Sequence, residues 1–288
     1  MNKLSRPNHD DILAITALTN NAKVASHPHL KPILNELISS YKKYILANGA
    51  PLPNSIVKIN QELAKYLRSH YSSPPKDLHH INEMRDSTEH LVCPMCGSIH
   101  SGTLDHYLPK EDYPIFSVFS QNLVPACKCN SRRGRTLYGA TLNERVLHPY
   151  FDNCLGERLI SAKIEDLGPV PRMEISLIPT SAHPNFVAIR FHVDNIIQKS
   201  AIKKYLSDRW SSFFRKPSLV IQNFEKNITS KHEVKKILEK ELDRLDDLHR
   251  SKNNWNSVFV SGLLSPPVTD WITQKLSQPG RVPDSPLN

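Results

Sequence analysis

The chain has 288 residues, 39% of them hydrophobic and 23% charged, with a formal net charge of +9. That balance fits a folded, soluble protein and excludes a membrane-spanning bundle, since no apolar run approaches the ~20 residues needed to cross a bilayer. The start, MNKLSRPNHDD, lacks the apolar centre of a signal peptide, so a cytoplasmic protein without a membrane partner is expected, and the basic balance suits a polyanionic one.

Residues 1–90 read as a helical N-terminal segment. In LKPILNELISSYKKYIL, the residues Ile33, Leu34, Leu37, Ile38, Tyr41 and Ile45 recur at spacings of three and four, the period of one helix face. SIVKINQELAKYLRSHY predicts a second helix, capped at Ser55, with Ile56, Ile59, Leu63 and Leu67 on its stripe. SSPPKD breaks the pattern, and a short helix is expected over 78–89.

Residues 91–154 change character, with cysteines, histidines and short apolar runs. A strand is expected over 102–108, and VLHPYFDN reads as a return strand. Residues 155–288 form a mixed, mainly helical C-terminal region. RMEISLIP and NFVAIRFHV alternate like two strands of a hairpin. Ser230 and Glu233 match a capping box, followed by Val234, Ile237, Leu238, Leu242 and Leu245 on one face. Trp210, Phe213 and Phe214, interleaved with the basic run Lys199, Lys203, Lys204, Arg209, Arg215 and Lys216, read as a helix core more than as a nucleic-acid face. SQPGRVPDSPLN reads as a frayed tail.

Of five cysteines, Cys93 and Cys96 stand in CPMCG, and Cys127 and Cys129 in CKC. An odd count without a secretion signal argues against a disulfide framework. Two close pairs some 30 residues apart fit tetrahedral Zn²⁺ at about 2.3 Å from each sulfur. His100 or His148 could replace one sulfur; Cys154 reads as an ordinary core or surface cysteine, and His148 as more structural than catalytic. A redox role for CPMC lacks the strand-helix context such sites need.

Between the pairs lies LDHYLPKEDYPIFSVFSQNLV. An imidazole titrating near 6.5 can take a proton from water, which makes His106 a candidate base. Asp105 is a hard oxygen ligand suited to Mg²⁺. On a strand these neighbours point to opposite faces. A kink or a strand end, marked by Pro109, is needed to aim both at one phosphate.

The order CPMC, LDHYLPK, NLVPACKCN, SRRGR resembles the HNH endonucleases, or ββα-metal nucleases, over residues 91–136. The resemblance implies an α+β fold, with a zinc-stapled ββα core at 91–154 inserted between the helical segment 1–90 and the region 155–288. It implies a metal-dependent endonuclease acting on DNA. By position, His106 would be the general base and Asn122 would hold the loop and orient it. Asp105 and Asn130 would bind the catalytic Mg²⁺ or Mn²⁺, Asn130 standing where many members carry His. Zn²⁺ would sit among Cys93, Cys96, Cys127 and Cys129, although the CKC spacing is one residue shorter than the common form. Lys110, Arg132, Arg133 and Arg135 would contact nucleic acid, because guanidinium groups match phosphate geometry. LPKEDYP further resembles the HNH subunits of bacterial anti-phage systems, which implies an antiviral defence role with an ATPase or other regulatory subunit as partner. The competing expectation is a zinc-stabilised DNA-binding or docking module without activity.

Overall fold

The computed structural model describes residues 1–50, 55–87, 92–100, 102–228 and 230–288. Four helices come first: α1 (Asp11–Asn20), α2 (Leu34–Leu46), α3 (Gln61–Ser72) and α4 (His80–Asp86). The stripe read from the sequence is the buried side of α2, with Leu37, Tyr41 and Tyr44 in the core. The second helix starts later than expected. Asn60, not Ser55, is its cap, and the Asn60 side chain accepts from Leu63 N at 2.9 Å. The short helix α4 ends at Asp86; the end expected at residue 89 lies outside the described residues.

A two-stranded antiparallel hairpin follows, β1 (Thr103–His106) paired with β2 (Leu123–Ala126), and then the short helix α5 (Lys128–Arg132). Asp105 lies opposite Val124 and His106 opposite Leu123. The 16-residue connection is packed rather than loose, because α2 and α3 cover it. Tyr41 stacks on Phe119 at 4.2 Å between centroids, and Tyr44 meets Phe116 at 5.0 Å. Pairs of this kind add about 0.5–1.5 kcal/mol beyond their burial.

The second sheet is again a two-stranded antiparallel pair, β3 (Ile160–Glu165) with β4 (Arg172–Leu177). RMEISLIP therefore is a strand, but its partner is ISAKIE. NFVAIRFHV instead forms α6 (Phe186–His192), which runs into a wider turn of the π type over Val193–Ile197. The buried positions Ala188, Ile189, His192, Val193, Ile196 and Ile197 recur at helical spacing, which prevailed over the local alternation. Nor is VLHPYFDN a strand. Asp152 closes it into a turn by accepting from His148 N at 2.6 Å while pairing with Arg145.

Helices α7 (Ile202–Arg215), α8 (Lys231–His249), α9 (Trp255–Leu263) and α10 (Pro266–Leu276) complete the chain. Ser230 caps α8 as expected, accepting from Glu233 N. Trp210 and Phe213 are fully buried. Helix α9 lies on β3 so closely that a Cβ on Gly262 would sit 2.6 Å from the Ala162 carbonyl oxygen. The tail is docked, not frayed: Leu287 is buried and donates its N–H to Phe214 O, and Asp284 accepts from Ser218 N at 2.8 Å. Buried residues from the N-terminal helices, the hairpin segment and the C-terminal helices join in one apolar cluster. Among the described residues no helix is long and apolar enough to cross a membrane.

Candidate functional site

Two features meet on the hairpin. The first is a cluster of four thiols. Residues 93–97 turn tightly because Gly97 adopts φ +85°, and Gly97 N closes the turn onto Cys93 O at 2.8 Å. Cys127 precedes α5 and caps it, its sulfur accepting from Cys129 N. The sulfurs of Cys93 and Cys129 lie 3.6 Å apart, those of Cys96 and Cys127 3.4 Å, and all four within 4.8 Å of one another. Four sulfurs at about 2.3 Å from one ion would be about 3.8 Å apart, so the set is positioned to hold a metal ion. Hydrogen bonds among the four thiols push Cys127 below its ordinary range and Cys96 and Cys129 above theirs. His100 and His148 stand outside the cluster.

The C-terminal region grips this turn, a role with no motif to announce it. Trp255 donates its backbone N–H to Gly97 O at 3.0 Å and its indole N–H to Cys96 O at 2.8 Å. His192 Nε2 donates to Met95 O at 2.7 Å, while its Nδ1 accepts from Leu147 N at 3.0 Å. Both ring nitrogens are thus committed in the neutral form, and burial pushes the His192 pKa down to about 4. Burial likewise lowers His148 far below its ordinary value.

These two histidines contribute to a pH dependence of stability, as do His80 and His106, which burial also lowers to about 4. Between pH 6.5 and about 4 the unfolded chain takes up protons that the folded chain refuses, so stability falls as pH falls through that window. Each contributes about 1.4 kcal/mol per pH unit. Asp11, raised to about 6 by burial, opposes them by one proton over part of the range. In urea titrations between pH 7.5 and 5, His192→Gln, whose amide can supply both hydrogen bonds, should show a slope shallower by about one proton. Equal slopes for the variant and the wild type would rule out His192 as a source.

The second feature is the cleft at the end of β1, about 270 Å³, lined by Asp105, His106, Lys110, Asn130, Arg133 and Arg135 among others. The strand ends at His106, as aiming both side chains requires. The Asp105 carboxylate folds back along its own strand, Oδ1 accepting from His106 N at 2.8 Å, and lies 4.0 Å from His106 Nδ1. Asn130, presented by α5, donates from Nδ2 to Asp105 Oδ2 at 2.7 Å and to His106 O at 3.1 Å. Asp105, His106 and Asn130 are therefore brought into one space.

His106 is buried against the edge of the Tyr71 ring, with centroids 4.2 Å apart. Its Nε2 lies 2.9 Å from Ser117 O. A carbonyl can only accept, so Nε2 carries the proton and Nδ1 keeps the lone pair. Burial lowers the His106 pKa to about 4, which leaves the ring neutral at pH 7.

Asn122 is fully buried and staples the connection. Its Oδ1 accepts from Leu108 N at 2.7 Å, and its Nδ2 donates to Leu108 O at 3.1 Å and Phe116 O at 3.2 Å. Tyr44 supplies the remaining bond, its hydroxyl donating to Asn122 Oδ1 at 3.1 Å while lying 2.9 Å from His148 Nε2. His148 Nδ1 accepts from Tyr150 N, so Nε2 is the donor to Tyr44 and the chain of bonds has a single direction. Asn122→Ala would leave several buried groups without partners at about 1–3 kcal/mol each. A loss of 3 kcal/mol or more in chemical denaturation is expected; a loss under 1 kcal/mol would count against the staple.

The four basic residues divide. Arg132 and Arg135 are exposed, Arg135 pairing with Asp112 at 3.1 Å, and Lys110 is half-buried beside Tyr71. Arg133 departs from the expected phosphate contact. It is buried, its Nε donates to Asn130 Oδ1 at 2.8 Å, and its terminal nitrogens donate to the carbonyls of His106, Tyr107 and Thr136. The phosphate motif in the sequence gave no sign of this brace, because a buried and an exposed arginine read alike.

No family model matches the chain, and no solved structure matches it. A 62-residue stretch is 40% identical to Protein ea31 of Escherichia phage lambda. The match spans about a fifth of this chain and a fifth of that protein.

Proposed function

We propose that the chain is a metal-dependent endonuclease of the HNH type, hydrolysing DNA phosphodiester bonds. The observation that carries the reading is the convergence of Asp105, His106 and Asn130 at one end of a ββα unit whose base holds four clustered cysteines. Zn²⁺ fits the cysteine cluster as a structural ion, since four thiolates leave no open position for a reactant.

In this reading His106 Nδ1 takes the proton of the attacking water, while Ser117 O fixes the ring and its tautomer. Asn122 sets the loop that carries Ser117, so it acts on the base through position. Tyr71 shields the ring from bulk water. Asp105, half-exposed at the cleft, offers a carboxylate oxygen to Mg²⁺ or Mn²⁺. Asn130 presents its N–H₂ to Asp105 and its oxygen to Arg133; to hold the cation through its amide oxygen it would have to give up the Arg133 bond. The bound cation would stabilise charge on the phosphoryl oxygens. Exposed Arg132 and Arg135, with Lys110, would hold the backbone.

The closer likeness of LPKEDYP extends the proposal to a cytoplasmic anti-phage effector working with an ATPase partner. The binding-only reading draws on the burial of His106, which narrows the path of water to Nδ1. Plasmid nicking in Mg²⁺ or Mn²⁺ separates the two. Loss of supercoiled DNA with the wild type but not with His106→Ala supports the enzyme; DNA binding without cleavage supports the module.

A further inference from the structure

The N-terminal helices carry no motif, yet they build a wall beside His106. Tyr71, near the end of α3, meets the His106 ring edge-on and donates its hydroxyl to Leu104 O on β1. Two cations lie over this one ring. The Arg85 guanidinium of α4 is 4.7 Å from its centroid and the Lys110 ammonium 5.1 Å. Arg85 is aimed there by bonds to Tyr71 O and to Asn82 Oδ1 at 3.2 Å. A guanidinium has five N–H donors, so these bonds leave capacity for an oxyanion.

Each cation gains only about 0.5–1 kcal/mol from such a ring at a partly exposed site. Both cations border one ring, and among the described residues neither forms an ion pair with a carboxylate. An oxyanion brought to this wall would gain a charge-assisted hydrogen bond from either cation it reaches. Lys110 also lines the cleft that holds Asp105 and His106, so the ring and the cleft share one border.

We propose that Arg85 and Lys110, presented across Tyr71, seat the backbone phosphate that neighbours the one facing His106. The ligand class is a polynucleotide with consecutive phosphates. A strand laid across the cleft carries one charge per about 3.4 Å of rise and so brings a second phosphate to this wall. That this phosphate lies next to the scissile one rests on the nuclease reading; the seat itself does not.

The test uses the full chain and a fluorescein-labelled DNA duplex, with anisotropy titrations from 50 to 300 mM KCl and no added divalent cation. Arg85→Gln should reduce the slope of log affinity against log salt by about one, the signature of one lost phosphate contact. Arg85→Lys, which keeps the charge, should restore most of it. An unchanged slope in a folded Arg85→Gln protein overturns the seat, as does a slope that Arg85→Lys fails to restore. Cleavage supplies the second arm. Arg85→Gln should lose at least tenfold more activity on DNA than on bis(4-nitrophenyl) phosphate, which has one phosphate. Equal losses on both overturn the seat in favour of a role in shaping the cleft. A wild type that cleaves neither substrate while the salt slope still depends on Arg85 supports the seat and overturns the nuclease reading alone.

Discussion

If the proposed nuclease reading holds, His106→Gln should lower DNA cleavage by about 10²–10⁴-fold, the contribution of a positioned general base, while leaving metal content and melting temperature close to wild type. The two ring nitrogens do different jobs. Nε2 donates to Ser117 O and holds the connection between the strands, whereas Nδ1 is the basic atom. A glutamine amide can supply the donor but no base. His106→Ala removes both. It should lose the same activity and in addition about 1–3 kcal/mol of stability, because Ser117 O is left without its donor in a dry environment. The pair of variants therefore separates chemistry from packing. The wild type needs no proton release to start, since burial holds the imidazole neutral well below pH 7. Plasmid nicking, followed as loss of supercoiled DNA, gives the rates, and urea titration gives the stabilities. Cleavage by His106→Gln within tenfold of wild type would remove His106 from the base role.

The local features of this site were legible because each is a short-range signal. Cys93, Cys96, Cys127 and Cys129 do cluster, the strand does end at His106, Asn122 bonds to Leu108, and Asn130 reaches Asp105 and His106 O. The helical face of α2 and the cap of α8 followed from period and cap chemistry. What failed was long-range. NFVAIRFHV alternates locally but belongs to a helix, since its partners for burial lie in the hairpin segment and not in an adjacent strand. Arg133 reads as a surface cation until its neighbours Asn130, His106 and Tyr107 are known. Tyr71 and Arg85, Trp255 and His192 had no local signature at all. Their work depends on which carbonyl or ring the fold brings opposite them, and that information is not contained in any short window of sequence.

Loss of the ion from the cysteine cluster should unfold far more than residues 93–97. Structural Zn²⁺ contributes about 10–16 kcal/mol in small zinc-finger peptides, as large as the whole stability of an ordinary domain. Here the sulfurs come from both sides of the hairpin, so a bound ion would tie the start of the module to the start of α5. The same turn is the anchor for distant segments. The carbonyls of Met95, Cys96 and Gly97 receive His192 and Trp255, and a Cβ on Gly97 would fall 2.0 Å from Asn253 O. Asn253 in turn holds Leu159 N and Glu157 O, at the start of β3. Release of the turn therefore removes partners from buried groups in α6 and α9 together. Metal analysis of the purified protein should find one zinc per chain. Stripping it with a chelator, or replacing Cys96 by Ser, should lower the helical circular dichroism and red-shift the emission of the buried tryptophans. Cys154→Ala is the control: Cys154 is buried but lies outside the cluster, and its loss removes only a small apolar contact. If the stripped protein keeps its melting temperature and its tryptophan emission, the cysteines do not hold the fold and the ion belongs elsewhere in the account.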